Sequence, residues 1–223
     1  ETADSLAALR EAKACGVKTL AIVNVVGSTI AREADHVFYT LAGPEIAVAT
    51  TKAYSTQLIA SYVLALEFAR VRGILDEAGY EQMLTELQTL PAKMERLLED
   101  KERIQWFASK QSSARDAFFI GRGIDYAISL EGSLKMKEIS YIHSEAYAAG
   151  ELKHGTISLI DRGILVVGIL TQQGLYEKTV SNMLECKSRG AYLMALTTYG
   201  NYNIEDSADF VIYIPKTEAH FMA

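Results

Sequence analysis

Three charged residues in the middle of the chain have the spacing of one helix face. Glu131, Lys135 and Glu138 stand at positions i, i+4 and i+7. The apolar positions predicted beside this face are Leu130, Leu134, Met136 and Ile139. No Gly or Pro interrupts residues 133–147, so the pattern predicts a helix with partly buried ionisable groups. Lys135 and Glu138 could then exchange a proton with a substrate; the alternative is a surface ion pair worth about 0 to 1 kcal/mol.

Two histidines follow in the same stretch. His143 and His154, with Glu145 and Glu151, could be drawn as metal ligands. Their spacing lacks the i, i+4 histidine pair of a helical zinc site, so no metal site is expected. His154 comes after Gly150, in a predicted loop. It is a candidate acid–base group, with a solvated loop histidine as the alternative interpretation.

Three junctions offer groups that an anion could contact. Thr2, at the start of a predicted helix, provides a hydroxyl and free backbone amides, although a simple N-cap is the favoured interpretation. Residues 43–52 combine small and hydroxyl side chains in a turn before a helix. Residues 121–123, Gly-Arg-Gly, lack the third glycine of a dinucleotide fingerprint, so a nicotinamide or flavin cofactor is not expected. A glycine pair that lets the central helix approach the sheet is the more economical interpretation.

Composition narrows the class of protein. The 223 residues are 49% apolar with a net charge of −6 and no basic run, which argues against a nucleic-acid partner. No apolar stretch has the length of a membrane span, and no secretory signal opens the chain. Cys15 and Cys186 match no metal spacing, so free thiols in a reducing cytoplasm are expected. Because the chain starts without Met and stops within a predicted helix, we expect a piece of a longer protein.

Apolar strands alternating with helices predict an α/β protein with parallel sheets. The predicted strands are 19–26, 36–41, 116–120, 163–170, 192–197 and 210–214. The predicted helices are 2–14, 45–72, two helices divided by Pro91 within 76–110, the central helix, and 176–189. We expect the end of a first domain in residues 1–80, a helical connector in 81–110, and the first and central parts of a second domain in 111–223.

An internal repeat supports this organisation. With an offset of 174, Gly16 matches Gly190, and the segment ADHVFY after residue 33 matches ADFVIY after residue 207. Each copy contains an apolar strand, a polar loop and then Ala-Asp-x-Val-x-Tyr or its close equivalent. The shared gap length predicts two α/β units of one design.

Three long segments carry a family resemblance. ETADSLAALREAK, GPEIAVATTKAYSTQL and FFIGRGIDYAISLEGSLKMKEISYIHSEAYAAGELKHG resemble the glutamine–fructose-6-phosphate aminotransferase (isomerising) family, whose members are also called glucosamine-6-phosphate synthases. The resemblance covers essentially the whole chain and is confined to the isomerase half of that family. It implies two sugar isomerase (SIS) domains, each a parallel-sheet sandwich with flanking helices, and both are expected to be incomplete here.

The resemblance implies an aminotransferase reaction. Ammonia released from glutamine in a separate N-terminal glutaminase domain would join fructose 6-phosphate, and the product would be glucosamine 6-phosphate. The isomerase half would open the sugar ring, form an imine at C2 and transfer a proton between C1 and C2, without a metal or organic cofactor. This step belongs to hexosamine biosynthesis, which leads to UDP-N-acetylglucosamine. Because the glutaminase domain and a C-terminal Schiff-base lysine would lie outside this piece, we expect the piece alone to be inactive.

The resemblance also implies roles for named residues. Glu138 matches the general base, and Lys135 matches the lysine that assists proton movement at the substrate hydroxyl. His154 matches the ring-opening histidine, which the neighbouring subunit of a homodimer supplies. The positions that match substrate-binding residues are Thr2, Val48 and Thr50.

Two other functions remain open from the sequence. One is a related SIS enzyme, a fructosamine-6-phosphate deglycase, which works without a glutaminase domain. The other is a non-catalytic sensor of sugar phosphates. Lys135, Glu138 and His154 separate the enzymes from the sensor, because a sensor needs none of these acid–base groups.

Overall fold

The computed structural model describes residues 2–223, which form two compact units divided between Met83 and Leu84. Each unit contains a parallel sheet with helices, so the predicted α/β class is confirmed. The predicted boundaries at residues 80 and 110 stay predictions. Within residues 2–223, none of the helices combines the length and the apolar character that crossing a bilayer requires.

The first unit holds a two-stranded parallel sheet. Its elements are α1 (Ala3–Ala14), β1 (Leu20–Val23), α2 (Thr29–Glu33), β2 (His36–Tyr39) and α3 (Lys52–Val71). Thr2 is the N-cap of α1, as predicted, and its side chain accepts the Ser5 N–H at 3.3 Å. Gly16 ends this helix region with φ +75°, a conformation that glycine adopts without strain.

Two helices follow, α4 (Glu77–Leu98) and α5 (Lys101–Lys110). The prediction that Pro91 divides this region is wrong, because α4 continues through Pro91 and the break comes at residues 99–100. A proline removes one backbone hydrogen bond. The 22-residue helix keeps its bonds on both sides of that position, so the helix is not interrupted.

The second unit is built on a five-stranded parallel sheet with the order β4-β3-β5-β6-β7. Its elements are β3 (Asp116–Gly121), α6 (Ile124–Ser140), β4 (His143–Ala148), β5 (Leu165–Leu170), α7 (Tyr176–Ser188), β6 (Tyr192–Thr198) and β7 (Phe210–Ile214). All six residues of the central strand β5 are buried, which explains its continuous apolar run. Apolar side chains pack in a cluster around Val166 and in another around Val167, two neighbours whose side chains point to opposite faces of the sheet.

The predicted central helix is too long at its C-terminal end. α6 stops at Ser140 because Tyr141 adopts a left-handed conformation (φ 59°). The following residues form the edge strand β4, in which His143 pairs with Asp116 of β3. This strand was not predicted, because His-Ser-Glu-Ala-Tyr-Ala has no apolar run and no Gly or Pro separates it from the helix.

Small and polar residues of α6 are the ones buried beneath the helix. Its buried positions are Asp125, Ser129 and Ser133. A side chain at Gly132 would come within 3.0 Å of the Phe119 ring, so the helix lies close to β3. Among the four apolar residues predicted beside the charged face, only Met136 packs against a core cluster. The other three, Leu130, Leu134 and Ile139, are exposed.

Candidate functional site

The charged face of α6 forms as predicted. The Lys135 Nζ donates to the Glu138 Oε2 at 2.6 Å, and it also lies 3.5 Å from the Glu131 Oε1. The side chains of Lys135 and Glu138 are 20% and 32% exposed. The pair is therefore neither enclosed in the core nor fully solvated, and a bound molecule could reach the carboxylate.

The electrostatics assign different chemistry to the two members of the pair. The hydrogen bond to Glu138 and the negative charges nearby raise the pKa of Lys135, although partial burial opposes this increase. Lys135 is therefore held as an ammonium group that donates protons in hydrogen bonds. Because the ammonium has no free lone pair, the group that can accept a proton from a substrate is the carboxylate of Glu138.

His154 lies elsewhere in the second unit. It ends a short 3-10 helix, Leu152–His154, which the fully buried Leu152 anchors in the core. An open cavity of about 510 Å³ adjoins it. The residues that line this cavity are Tyr147, Glu151, His154, Gly155, Thr156, Ser158 and Leu159. The structure thus brings Lys135 and Glu138 together, whereas His154 lines a cavity to which neither of them contributes.

The residues considered as metal ligands do not converge. The His143 Nδ1 lies 3.0 Å from the Asp116 Oδ1, and Glu145 accepts a hydrogen bond from the Tyr147 hydroxyl. That bond and partial burial raise the pKa of Tyr147 to about 12. Across residues 2–223, no group of three or more His, Cys, Asp or Glu side chains is arranged to hold a metal ion.

The three predicted substrate-binding residues belong to the first unit. Thr2 makes the N-cap bond described above, and its hydroxyl also lies 2.9 Å from the Ser5 Oγ. Val48 and Thr50 are exposed in an irregular segment before α3, with Val48 95% exposed. The helix predicted from residue 45 starts only at Lys52.

Asn24 binds the loop that precedes this segment, and the sequence interpretation missed it. Its side chain donates to the Gly43 carbonyl at 2.6 Å and accepts the Ala42 N–H at 2.9 Å. It also accepts the Thr40 hydroxyl at 3.2 Å. These bonds hold residues 40–43, the loop that leads into the segment carrying Val48. A polar residue inside the apolar run 19–26 was the available signal.

A family model described as "SIS domain" matches residues 1–67 and 111–223. This chain belongs to the SIS domain family. The SIS match covers parts of both units, in agreement with the internal repeat predicted from the sequence.

Two curated relatives of this SIS chain share the same name. It is 56% identical over 217 residues to "Glutamine--fructose-6-phosphate aminotransferase [isomerizing]" of Caldanaerobacter subterraneus subsp. tengcongensis, with 97% of the chain covered. It is 55% identical over 221 residues to the enzyme of that name from Clostridium tetani, with 99% covered. In both cases the chain spans 36% of the length of the relative. The resemblance seen in the sequence is therefore confirmed.

Solved structures agree with this family membership. The C-terminal domain of glucosamine-fructose-6-phosphate aminotransferase from Francisella tularensis superimposes with a TM-score of 0.91 at 36% identity, covering 99% of this SIS chain and 63% of that chain. Glucosamine-6-phosphate deaminase from Thermotoga maritima superimposes with a TM-score of 0.69 at 26% identity, covering 87% of this chain and 57% of that one. The SIS fold predicted from the sequence is thereby confirmed.

Proposed function

We propose that this SIS chain is the isomerase portion of a glutamine–fructose-6-phosphate aminotransferase, which converts fructose 6-phosphate and glutamine-derived ammonia to glucosamine 6-phosphate. The observation that carries the proposal is the hydrogen bond of 2.6 Å between Lys135 and Glu138. It places a carboxylate base and an ammonium donor side by side on one helix. The names of the curated relatives supply the substrate class.

The proposed chemistry moves one proton between neighbouring carbons. Ammonia and the C2 carbonyl of the opened sugar form an imine with loss of water. Glu138 then takes a proton from C1 and returns it to C2. The imine nitrogen gains one proton and becomes the amine, while the C1 hydroxyl loses one proton and becomes the aldehyde carbonyl. Lys135 assists at that hydroxyl as a hydrogen-bond donor. A base on a rigid helix suits this transfer because it must reach both carbons from one face. These steps require no metal or organic cofactor.

Substrate binding is assigned to the first unit. We propose that the phosphate contacts Thr2 and the first amides of α1, where a helix N-terminus favours an anion. The Thr2 hydroxyl accepts the Ser5 amide hydrogen, and its own proton can go to a phosphate oxygen when the Ser5 hydroxyl is the donor in their 2.9 Å contact. Val48 and Thr50 are proposed to contact the sugar, and their exposure leaves them free to do so.

The decisive experiment replaces Glu138 by Gln in the full-length protein. We expect exchange of the C1 proton with solvent to fall roughly 100- to 10,000-fold, while binding of fructose 6-phosphate is retained. Glu131→Gln is the matched control, because Glu131 also contacts Lys135 yet is assigned no base role. It should retain most of the exchange rate.

The outcomes separate the alternatives. Exchange that is unchanged in Glu138→Gln would remove Glu138 from its role and favour a non-catalytic sensor. Exchange that falls equally in both variants would mean that the ion-pair network, rather than the base, matters. A fructosamine-6-phosphate deglycase would show the same loss in Glu138→Gln but would release no ammonia from glutamine.

His154 is proposed to open the sugar ring in the active site of the partner subunit of a homodimer. The cavity beside His154 is lined by neither Lys135 nor Glu138, which supports this assignment. Mixed dimers of Glu138→Gln and His154→Ala chains test it, since each mixed dimer would contain one complete site if the residues come from different subunits. Activity that reappears on mixing supports sharing, and mixtures as inactive as either variant alone contradict it.

The remaining assignments extend this proposal. We place the enzyme in the cytoplasm, in hexosamine biosynthesis, with an N-terminal glutaminase domain and with no nucleic-acid or membrane partner. The unpaired thiols of Cys15 and Cys186 suit a reducing compartment. We assign residues 1–80 and 111–223 to two SIS domains and residues 81–110 to a connector between them. Limited proteolysis that cuts preferentially within 81–110 would support these boundaries.

A further inference from the structure

A buried carboxylate in the second unit has no part in the proposed reaction. Asp125 lies in the first turn of α6 and is 1% exposed. Its Oδ2 accepts the N–H of Thr171 at 2.9 Å and the N–H of Gln172 at 3.2 Å. Its Oδ1 accepts the Thr171 hydroxyl at 2.5 Å. Three donors from one loop therefore converge on this side chain.

The loop that supplies these donors lies where open parallel sheets bind ligands. Thr171 and Gln172 directly follow the central strand β5, and the helix α7 begins four residues later. Ligands of such sheets bind outside the carboxyl ends of the strands, and anions bind at the helix N-termini there. In this unit, the side chain of Asp125 occupies the backbone amides of the loop that follows β5.

The glycines just before Asp125 allow its carboxylate to reach this loop. A side chain at Gly121 would come within 2.5 Å of the Asp125 backbone, so only glycine lets α6 begin this close to β3. Gly123, with φ +58°, is the N-cap residue of α6. This assigns a purpose to the Gly-Arg-Gly segment. Burial raises the pKa of Asp125, and the bonds from Thr171 and Gln172 oppose that increase.

We propose that Asp125 is a built-in anionic ligand, which fills the amide-lined position after β5 and closes it to external carboxylates and phosphates. The second unit then folds without a bound anion and leaves phosphate recognition to the first unit. This last consequence rests on the proposed function; the occupancy of the position by Asp125 does not.

Chemical rescue tests the proposal. Asp125→Ala in the full-length protein deletes a carboxylate and leaves a hole of its size. We expect the melting temperature to fall by about 5 °C. Added formate, which has the size of the deleted group, should restore part of this loss relative to chloride at equal ionic strength. Acetate, which is larger by one methyl group, should restore less. Asp206→Ala, which removes an exposed carboxylate of the same unit, and the unmodified protein should show no difference between formate and chloride.

Two further measurements keep the test decisive. Asp125→Asn fills the hole without a charge, so formate should not stabilise it. If Asp125→Ala does not fold in chloride, its refolding yield in formate becomes the readout. A formate effect on Asp125→Ala that is no larger than on Asp206→Ala, or a refolding yield that formate does not change, would overturn the proposal. Neither result depends on C1 proton exchange, so failure here is distinct from failure of the proposed function.

Discussion

In both copies of the internal repeat, an aspartate just before the second strand holds the start of the first strand. Asp35 Oδ2 accepts the N–H of Thr19 at 2.9 Å, and Asp209 Oδ2 accepts the N–H of Leu193 at 2.7 Å. Both residues of the second bond are related to those of the first by the offset of 174. The strand registers agree as well, since the pair formed by residues 20 and 36 corresponds to the pair formed by 194 and 210.

In each copy, a lysine adds to this contact between the aspartate and the first strand. We call the lysine, the aspartate and the strand residue together the clamp. Lys13 donates to Asp35 at 3.2 Å and to the Glu33 carbonyl at 2.6 Å. Its counterpart Lys187 donates to the Ser207 carbonyl at 2.5 Å and lies 3.8 Å from its own aspartate. The internal repeat predicted from the sequence is therefore also present in the hydrogen bonds of the structure.

The two copies differ in burial, and burial accounts for the residue that each clamp holds. Thr19 is partly exposed, and its hydroxyl adds a second bond of 2.8 Å to Asp35. Leu193 at the same place is fully buried in a core cluster and cannot make that bond. One backbone arrangement thus serves a small two-stranded sheet, through polar contacts, and a five-stranded sheet, through apolar packing.

The largest effect is expected where apolar packing has replaced the hydroxyl. Leu193→Ala should lower the free energy of unfolding by about 3 kcal/mol, because it leaves a cavity in the core. Thr19→Ala should lower it by about 1 kcal/mol or less. Urea unfolding followed by circular dichroism measures both variants. Trp106, the only tryptophan, lies 6.4 Å from the Phe210 ring and reports the second unit by fluorescence. Equal losses of unfolding free energy in Leu193→Ala and Thr19→Ala would contradict this difference in burial between the copies.

The glycines that follow α1 and α7 provide a second comparison of the two copies. Gly16 and Gly190 both have positive φ, +75° and +92°. A side chain at Gly16 would meet no atom within 4 Å, whereas one at Gly190 would lie 3.1 Å from the Arg162 Cα. Gly16→Ala should therefore cost about 1 kcal/mol from backbone strain alone, and Gly190→Ala about 2 kcal/mol. Thermal unfolding measures both, and a larger loss for Gly16→Ala would contradict this account.

Sequence periodicity was sufficient for most of the second sheet. The strands β5 and β7 are short apolar runs rich in β-branched residues, and β6 is a short apolar run that ends in two threonines, so their pattern does not resemble that of a helix. The edge strand β4 has no such run, and the end of α6 depends on the left-handed conformation of Tyr141, which no residue type signals. Local patterns thus predict strands with apolar runs, including the edge strand β7, better than the polar edge strand β4.

The contacts described for the candidate site and for Asp125 also differ in how well the sequence predicts them. Lys135 and Glu138 are three residues apart, so helix geometry alone predicts their contact. The contacts of Asp125 join residues 46 and 47 positions away, and Asn24 binds a segment 16 to 19 positions away. Such contacts depend on which strands are neighbours in the sheet. A single sequence without aligned relatives does not contain that information in a readable form.

The smallest expected effect concerns pH in the first copy. The bonds from the Thr19 hydroxyl and N–H, and then from Lys13, hold the pKa of Asp35 well below its ordinary value. The unfolded chain therefore binds this proton more readily than the folded one. The stability that Asp35 contributes is fully present above about pH 4 and is lost as the pH falls towards the lower pKa of the folded state.

Asp35→Asn should accordingly be less stable than the unmodified protein at neutral pH, and the difference should shrink as the solution is acidified. Melting temperatures of the two proteins across this range measure the effect. Thr19→Val is the matched control, because it removes the hydroxyl bond to Asp35 but keeps the backbone one. Its dependence on pH should lie between the other two. A difference between Asp35→Asn and the unmodified protein that stays constant with pH would show that the clamp acts through shape rather than charge, and the two copies would then differ in burial alone.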